Sequence, residues 1–129
     1  MKRLKNKKRS GIVAERELVE FFWKHGGAAI RVAGSGAIRK PSADLIASLN
    51  DRYVIEVKKT KNRYIYISSL QIRALLEFAN RMKMQPLIAI KFKSKWMICN
   101  PLHLDLEKKR VRIKEEDCLD LHQYFLLNY

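Results

Sequence analysis

The chain has 129 residues, 47% of them hydrophobic, enough for one domain with its own core. Its 27 Lys and Arg face 13 Asp and Glu, a formal charge of +14, which points to a polyanionic partner, nucleic acid before an anionic membrane surface. No apolar run nears the roughly 18–20 residues of a spanning helix, and the basic N-terminus lacks a signal-peptide core.

Met1 to Arg9 carries six cations and no acid, so it is expected to be a flexible basic arm, too polar to offset its ordering entropy. Ser10 offers a helix cap and Gly26-Gly27 a stop. Between them Ile12, Val19, Phe22 and Trp23 recur at helical spacing. Ala28 to Val32 reads as a short strand, followed by the loop Ala33 to Pro41. Two strands follow, roughly Ala43–Leu49 and Tyr53–Lys59, joined by a turn around Asn50-Asp51.

Tyr64 to Ile67 is a further extended stretch, its tyrosines read as packing residues. Ser68 with Gln71 predicts a capping box opening a helix to about Met82. Pro86 introduces Leu87 to Ile90, apolar enough for a strand covered on both faces. Trp96–Cys99 is a partner strand, and Val111–Ile113 another short one. A last helix is expected from about Asp117 to Leu127. This order predicts an α/β domain spanning 1–129, with a central mixed sheet flanked by helices: αβββαβ plus C-terminal strands and a helix.

Cys99 and Cys118 are too far apart for a CxxC site, and His25, His103 and His122 have no zinc-ligand spacing. The chain reads as a reduced, intracellular protein.

The chemistry concentrates in Tyr53-Val54-Ile55-Glu56-Val57-Lys58, with Asp44 twelve residues before Glu56. If Asn50-Asp51-Arg52 is the loop, Leu49 opposes Tyr53, Ala47 opposes Ile55 and Leu45 opposes Val57, giving one apolar face. The other face then pairs Ile46 with Glu56 and Asp44 with Lys58. A slip of one residue would mix polar and apolar partners, which burial opposes. Opposed side chains lie about 5 Å apart and diagonal ones about 7 Å, which brings the diagonal pair Asp44 and Glu56 near enough to share one divalent ion. Glu15 lies within the apolar stripe of the first helix, where an unpaired carboxylate costs several kcal/mol. It needs a metal, Lys58, an arginine or an edge position. Glu17 and Glu20 read as surface charge.

These residue types suit phosphodiester hydrolysis. Mg²⁺ prefers oxygen ligands, keeps waters and is typically held by one or two carboxylates plus substrate phosphate. Asp44 and Glu56 are the candidate ligands, and Glu15 a candidate for a second metal or a coordinated water. Lys58 would orient the attacking water or offset charge on the phosphate.

Asp44…Glu56-Val57-Lys58 resembles the signature of the PD-(D/E)xK nuclease superfamily. Four blocks in order resemble the archaeal Holliday junction resolvase family, Hjc. They are Ala14-Glu15-Arg16-Glu17-Leu18, Ile30-Arg31-Val32-Ala33-Gly34-Ser35, Ile55-Glu56-Val57-Lys58 and Leu87-Ile88-Ala89-Ile90-Lys91-Phe92. The resemblance implies a restriction-endonuclease-like core and a homodimer that nicks four-way junction DNA symmetrically, using Mg²⁺ or, in its place, Mn²⁺. It assigns Glu15, Asp44, Glu56 and Lys58 to catalysis, and Arg16, Arg31, Ser35 and Lys91 to junction handling or support of the site. Arg39, Lys40, Lys59, Lys61 and Arg63 are further candidates for DNA contact. It also implies a cytoplasmic, nucleoid-associated protein of an archaeal cell or a virus-infected host, with accessory replication or recombination partners left open. The residue before Asp44 is Ala43 rather than proline, a departure that leaves the ligands untouched. Three alternatives remain: a restriction or repair endonuclease acting on linear duplex, a non-catalytic DNA-binding module with a nuclease fold and, more distantly, a ribosomal or RNA-associated basic protein, which would not need a carboxylate on a helix stripe.

Overall fold

The computed structural model describes residues 2–34 and 40–127, with backbone alone for 2–8. Its elements are α1 (Lys2–Lys24), β1 (Ala28–Arg31), β2 (Leu45–Ser48), β3 (Arg52–Thr60), β4 (Tyr64–Ser68), α2 (Ser69–Met82), β5 (Gln85–Phe92), β6 (Lys95–Cys99), β7 (Arg110–Lys114) and β8 (Leu119–Asp120). A six-stranded sheet has the order β1-β2-β3-β5-β6-β8, and β4 pairs with β7 in a separate ribbon. Within the sheet β3 and β5 run parallel, and the other neighbours antiparallel. Parallel neighbours need a crossover, supplied here by β4 and α2. The predicted mixed α/β architecture is the observed one.

The sheet separates two apolar layers. On one face Leu45, Ala47, Tyr53, Ile55, Leu87 and Ala89 meet Leu18, Phe21 and Phe22 of α1. On the other, Val54, Ile88, Ile90 and Met97 meet Ile72, Leu75 and Ala79 of α2, together with Ile67, Val111 and Ile113 of the ribbon. The α1 stripe is therefore built on Ala14, Leu18, Phe21 and Phe22, with Trp23 at its margin, 59% exposed and donating Nε1–H to the Ala29 carbonyl at 3.0 Å. Gly27 lets α1 close on β2, because a Cβ there would run into the Ser48 carbonyl oxygen.

Three expectations are corrected. The segment expected as an arm is helical from Lys2: Lys, Arg and Leu are good helix formers, and a packed helix propagates into such residues at little cost. Ser10 thus lies inside α1, and its Oγ accepts a hydrogen bond from Lys59 Nζ at 2.7 Å. The expected C-terminal helix is instead a 3₁₀ turn (Glu115–Asp117), β8, and a short π-helical stretch (Gln123–Leu127). There Leu119 and Asp120 take the open edge of β6, and the Asp120 carboxylate accepts from the His122 and Gln123 N–H groups. Phe125 then drops into an aromatic cluster, its ring 5.0 Å from Phe22 and 5.3 Å from Tyr53.

The third correction concerns register. Leu45 opposes Ile55, Ile46 opposes Val54, Ala47 opposes Tyr53 and Ser48 opposes Arg52, two residues from the expected pairing. The loop is Leu49-Asn50-Asp51, with Asn50 at its centre at φ 66°. Asn tolerates the left-handed region better than Asp51 in a centre shifted by one. Because the shift is even, every side chain keeps its face.

Candidate active site

The even shift moves Asp44 opposite Glu56 instead of Lys58. Asp44 lies one residue before β2 begins, past its last pair with β3. The Asp44 N–H donates to the Ile55 carbonyl at 3.0 Å, and the Val57 N–H, past the last β2 pair, donates to Asp44 Oδ2 at 2.9 Å. The strand's own backbone therefore fixes the Asp44 carboxylate. Glu56 shares a hydrogen bond with it, and burial, that bond and the Asp44 charge push the Glu56 carboxyl up to about 9. Lys58 opposes the shift, and Glu15 adds to it.

Lys58, two residues along the same face, donates from Nζ to Gln71 Oε1 at 3.2 Å. Gln71 lies in the first turn of α2, where Ser68 alone caps the helix through the Leu70 N–H. The predicted capping box is thus only half present: Gln71 turns to Lys58 instead. Gln offers a neutral amide oxygen that can hold an ammonium without competing for a metal. Lys40, Pro41, Ser42, Ala43, Asp44, Glu56, Lys58, Gln71 and Ala74 line one cleft of about 310 Å³.

Glu15 reaches the site from α1. It meets Arg31 at the end of β1, with Arg31 Nε 3.4 Å from Glu15 Oε1; the Glu15 side chain is 16% exposed and that of Arg31 29%. Burial and Asp44 raise its carboxyl above the ordinary range, against the pull of Arg31. An arginine is thus the partner that its place in the stripe demanded. Among the described residues no three His, Cys, Asp or Glu side chains close on one point. Asp44 and Glu56 form a pair, and Glu15 is set back against Arg31.

The donor set fits a divalent ion. Two carboxylates in hydrogen-bond contact share a proton that a cation would replace, and Mg²⁺ needs no closed cage because it retains waters and takes phosphate oxygens. Manganese accepts the same oxygen ligands.

The remaining expected contacts are dispersed. Arg16, Lys59, Lys61 and Arg63 are exposed, as is Lys40 at the rim of the cleft. Lys91 lies on the α1 side, 16% exposed and 2.7 Å from Glu17. Glu17, expected as surface charge, also accepts from Trp96 Nε1 at 3.2 Å. Burial alone would raise Glu17, but Lys91 and Trp96 hold it below the ordinary range. Lys91 and Glu17 therefore tie α1 to β5 and β6. Ser35 and Arg39 lie outside the described residues. Tyr64 and Tyr66, read as packing residues, stand 38% and 45% exposed on the ribbon.

Comparison with known proteins converges on one family. The family described as "Archaeal holliday junction resolvase (hjc)" matches residues 6–128. The crossover junction endodeoxyribonuclease Hjc of Archaeoglobus fulgidus is 36% identical over 110 residues, 84% of this chain and 81% of that protein. Hjc of Methanocaldococcus jannaschii is 34% identical over 113 residues, 87% and 81% of the two chains. A crossover junction endodeoxyribonuclease of Sulfolobus islandicus rod-shaped virus 1 is 31% identical over 115 residues, 84% and 95%. The solved structure of Archaeoglobus fulgidus Hjc, a Holliday junction resolvase from an archaeal hyperthermophile, superposes with a TM-score of 0.76 at 32% identity. That match covers 84% of this chain and 93% of the other.

Proposed function

The chain belongs to the archaeal Holliday junction resolvase family and is an endonuclease that resolves four-way DNA junctions, and we propose that it does so by Mg²⁺-dependent hydrolysis at Asp44, Glu56 and Lys58. The contact between Asp44 and Glu56, with Lys58 beside it on the same strand face, is the observation that carries this reading. The duplex-nuclease and non-catalytic alternatives have no comparable support.

Asp44 and Glu56 would hold the ion, with Mn²⁺ able to replace Mg²⁺; when bound, it polarises the scissile phosphate and lowers the pKa of water. The protein's own part is positioning. The Val57 N–H sets the Asp44 carboxylate, and the Glu56 carboxyl beside it would have to be deprotonated to serve as a ligand. Gln71 holds the Lys58 ammonium at the cleft, where it can orient the attacking water and offset charge building on the phosphate oxygens. Glu15, steadied by Arg31, supplies a third carboxylate at the α1 side.

The reading extends to a homodimer. A four-way junction has approximate two-fold symmetry, and its resolution takes two nicks. A C₂ pair of one nuclease domain places two equivalent sites at fixed separation. Phosphate contacts from exposed cations such as Arg16, Lys40 and Lys61 would select shape rather than sequence. Among the described residues no helix is long and apolar enough to cross a membrane; membership of a family that acts on DNA supports a cytoplasmic location.

The test uses a labelled immobile junction and a linear duplex of the same sequence, each with Mg²⁺ or EDTA. Paired nicks in opposite junction strands, dependent on Mg²⁺ and absent from the duplex, are expected. Equal cutting of both substrates would move the activity to a general duplex nuclease.

A further inference from the structure

The reading above leaves the outer face of the β4–β7 ribbon unused. The ribbon pairs Tyr64 with Lys114, Tyr66 with Arg112 and Ser68 with Arg110. Ile65, Ile67, Val111 and Ile113 turn inward to the α2-side core, so strand alternation sends the tyrosines and cations outward. Arg112 stacks on Tyr64, its Cζ 4.6 Å from the ring centroid, and Arg110 stacks on Tyr66 at 4.7 Å. The two rings meet edge to face at 5.9 Å. Residues 108–114 carry five cations and no acid. The nearby carboxylates are Glu107 before this run and Glu115, Glu116 and Asp117 after it, with Glu116 4.0 Å from Lys114. No ion pair to Arg110 or Arg112 occurs among the described residues.

The chemistry of this ladder selects one occupant. Each ring already carries a guanidinium, so the pairs present fixed in-plane N–H groups rather than bare aromatic platforms for unpaired bases. A guanidinium matches two phosphate oxygens. Alternate residues on one strand face repeat about every 6.8 Å, giving Arg110, Arg112 and Lys114 an extended basic track. The track begins beside the cleft: the Ser69 N–H donates to the Lys109 carbonyl at 2.9 Å, and Gln71, two residues on, holds Lys58.

We propose that the outer face of β4–β7 is a second DNA-binding surface, which takes the sugar-phosphate backbone of a duplex arm leaving the cleft. The inference rests on the nuclease reading for the identity of the DNA. The tyrosines are positioning residues: they hold the arginines extended, so that little side-chain entropy is lost on binding.

The test measures junction and duplex affinity for the whole protein across a series of salt concentrations in EDTA, with cleavage rates measured separately at saturating protein in Mg²⁺. Arg110→Gln with Arg112→Gln should weaken binding of both DNAs about tenfold and lower the slope of log K against log salt by about 2, one per lost phosphate contact. The saturated single-turnover rate should stay at the wild-type value. Arg110→Lys with Arg112→Lys should restore the slope. An unchanged slope and affinity in the glutamine variant, with wild-type melting behaviour, would overturn the proposal. Failure of the wild type to cut junctions would instead sink the nuclease reading, and a reduced slope would still uphold the surface.

Discussion

The two faces of β3 teach different lessons. Tyr53 and Ile55, turned to α1, are buried in hydrocarbon and aromatic rings, and any apolar residue of the right volume would serve a similar purpose. Val54 begins the other face in the same way, but Glu56 and Lys58 continue it with charge where β2 has ended and α2 has only begun. One face is a core. The other is a core that runs out, and the cleft lies where it does. A nine-residue strand thus anchors the fold and presents the chemistry without a separate loop to carry it.

Substitutions on the two faces should separate these roles. The largest effect is expected from Glu56→Gln, which should reduce junction cutting by at least about a hundredfold, as does loss of one preorganised charge-stabilising group elsewhere. Junction binding should survive; cutting at the wild-type rate would remove Glu56 from the site. Ile55→Ala, one residue away, should do the opposite. It should cost about 2–5 kcal/mol of stability, read by denaturant unfolding, while the folded fraction keeps its turnover.

The two faces also differ in response to pH. In EDTA, Glu56 holds its proton to about 9 in the folded chain, whereas the unfolded chain releases it near 4.5. The folded state therefore binds the extra proton within that window, so stability is greatest at its acid end and falls as pH rises towards 9. Melting temperatures in EDTA at pH 5 and pH 8.5 should show this fall, and Glu56→Gln should shrink it. A slope unchanged by the substitution would mean that Glu56 is not the proton carrier. Gln71→Ala should lower cutting about tenfold by freeing Lys58, with melting nearly unchanged; equal loss in Gln71→Ala and Lys58→Ala would make the amide indispensable. The smallest change lies far from the site. Lys83 ends α2 at φ 57°, and Lys83→Gly should raise stability by about 0.5–1 kcal/mol, measured as a small rise in melting temperature.

Much of this was legible in residue pattern. Alternation along β3 marked which side chains share a face, and face survives any even error in register. Register itself was not legible to that depth, because it turned on whether Asn50 or Asp51 takes the left-handed centre of a three-residue loop. Glu15 advertised its need for a partner by lying in an apolar stripe, but its distance from Arg31 is a tertiary fact. Gln71 was hidden behind a local explanation, the capping box, that accounted for it well enough. The C-terminal segment was misread as helix because its apolar spacing says nothing about the unfilled edge of β6.

That edge has one more property. β8 pairs Ile98 with Leu119 and Met97 with Asp120, so one further step of the same register sets Cys99 across from Cys118, whose thiol donates to the Lys114 carbonyl at 3.3 Å. They are the two cysteines of the chain, one buried in the sheet and the other half-buried just before the closing strand. The protein thus carries its own chemical reporter. The rate at which a thiol reagent modifies the buried Cys99 of the native protein measures how often the last strand lifts from the sheet, with no side chain replaced.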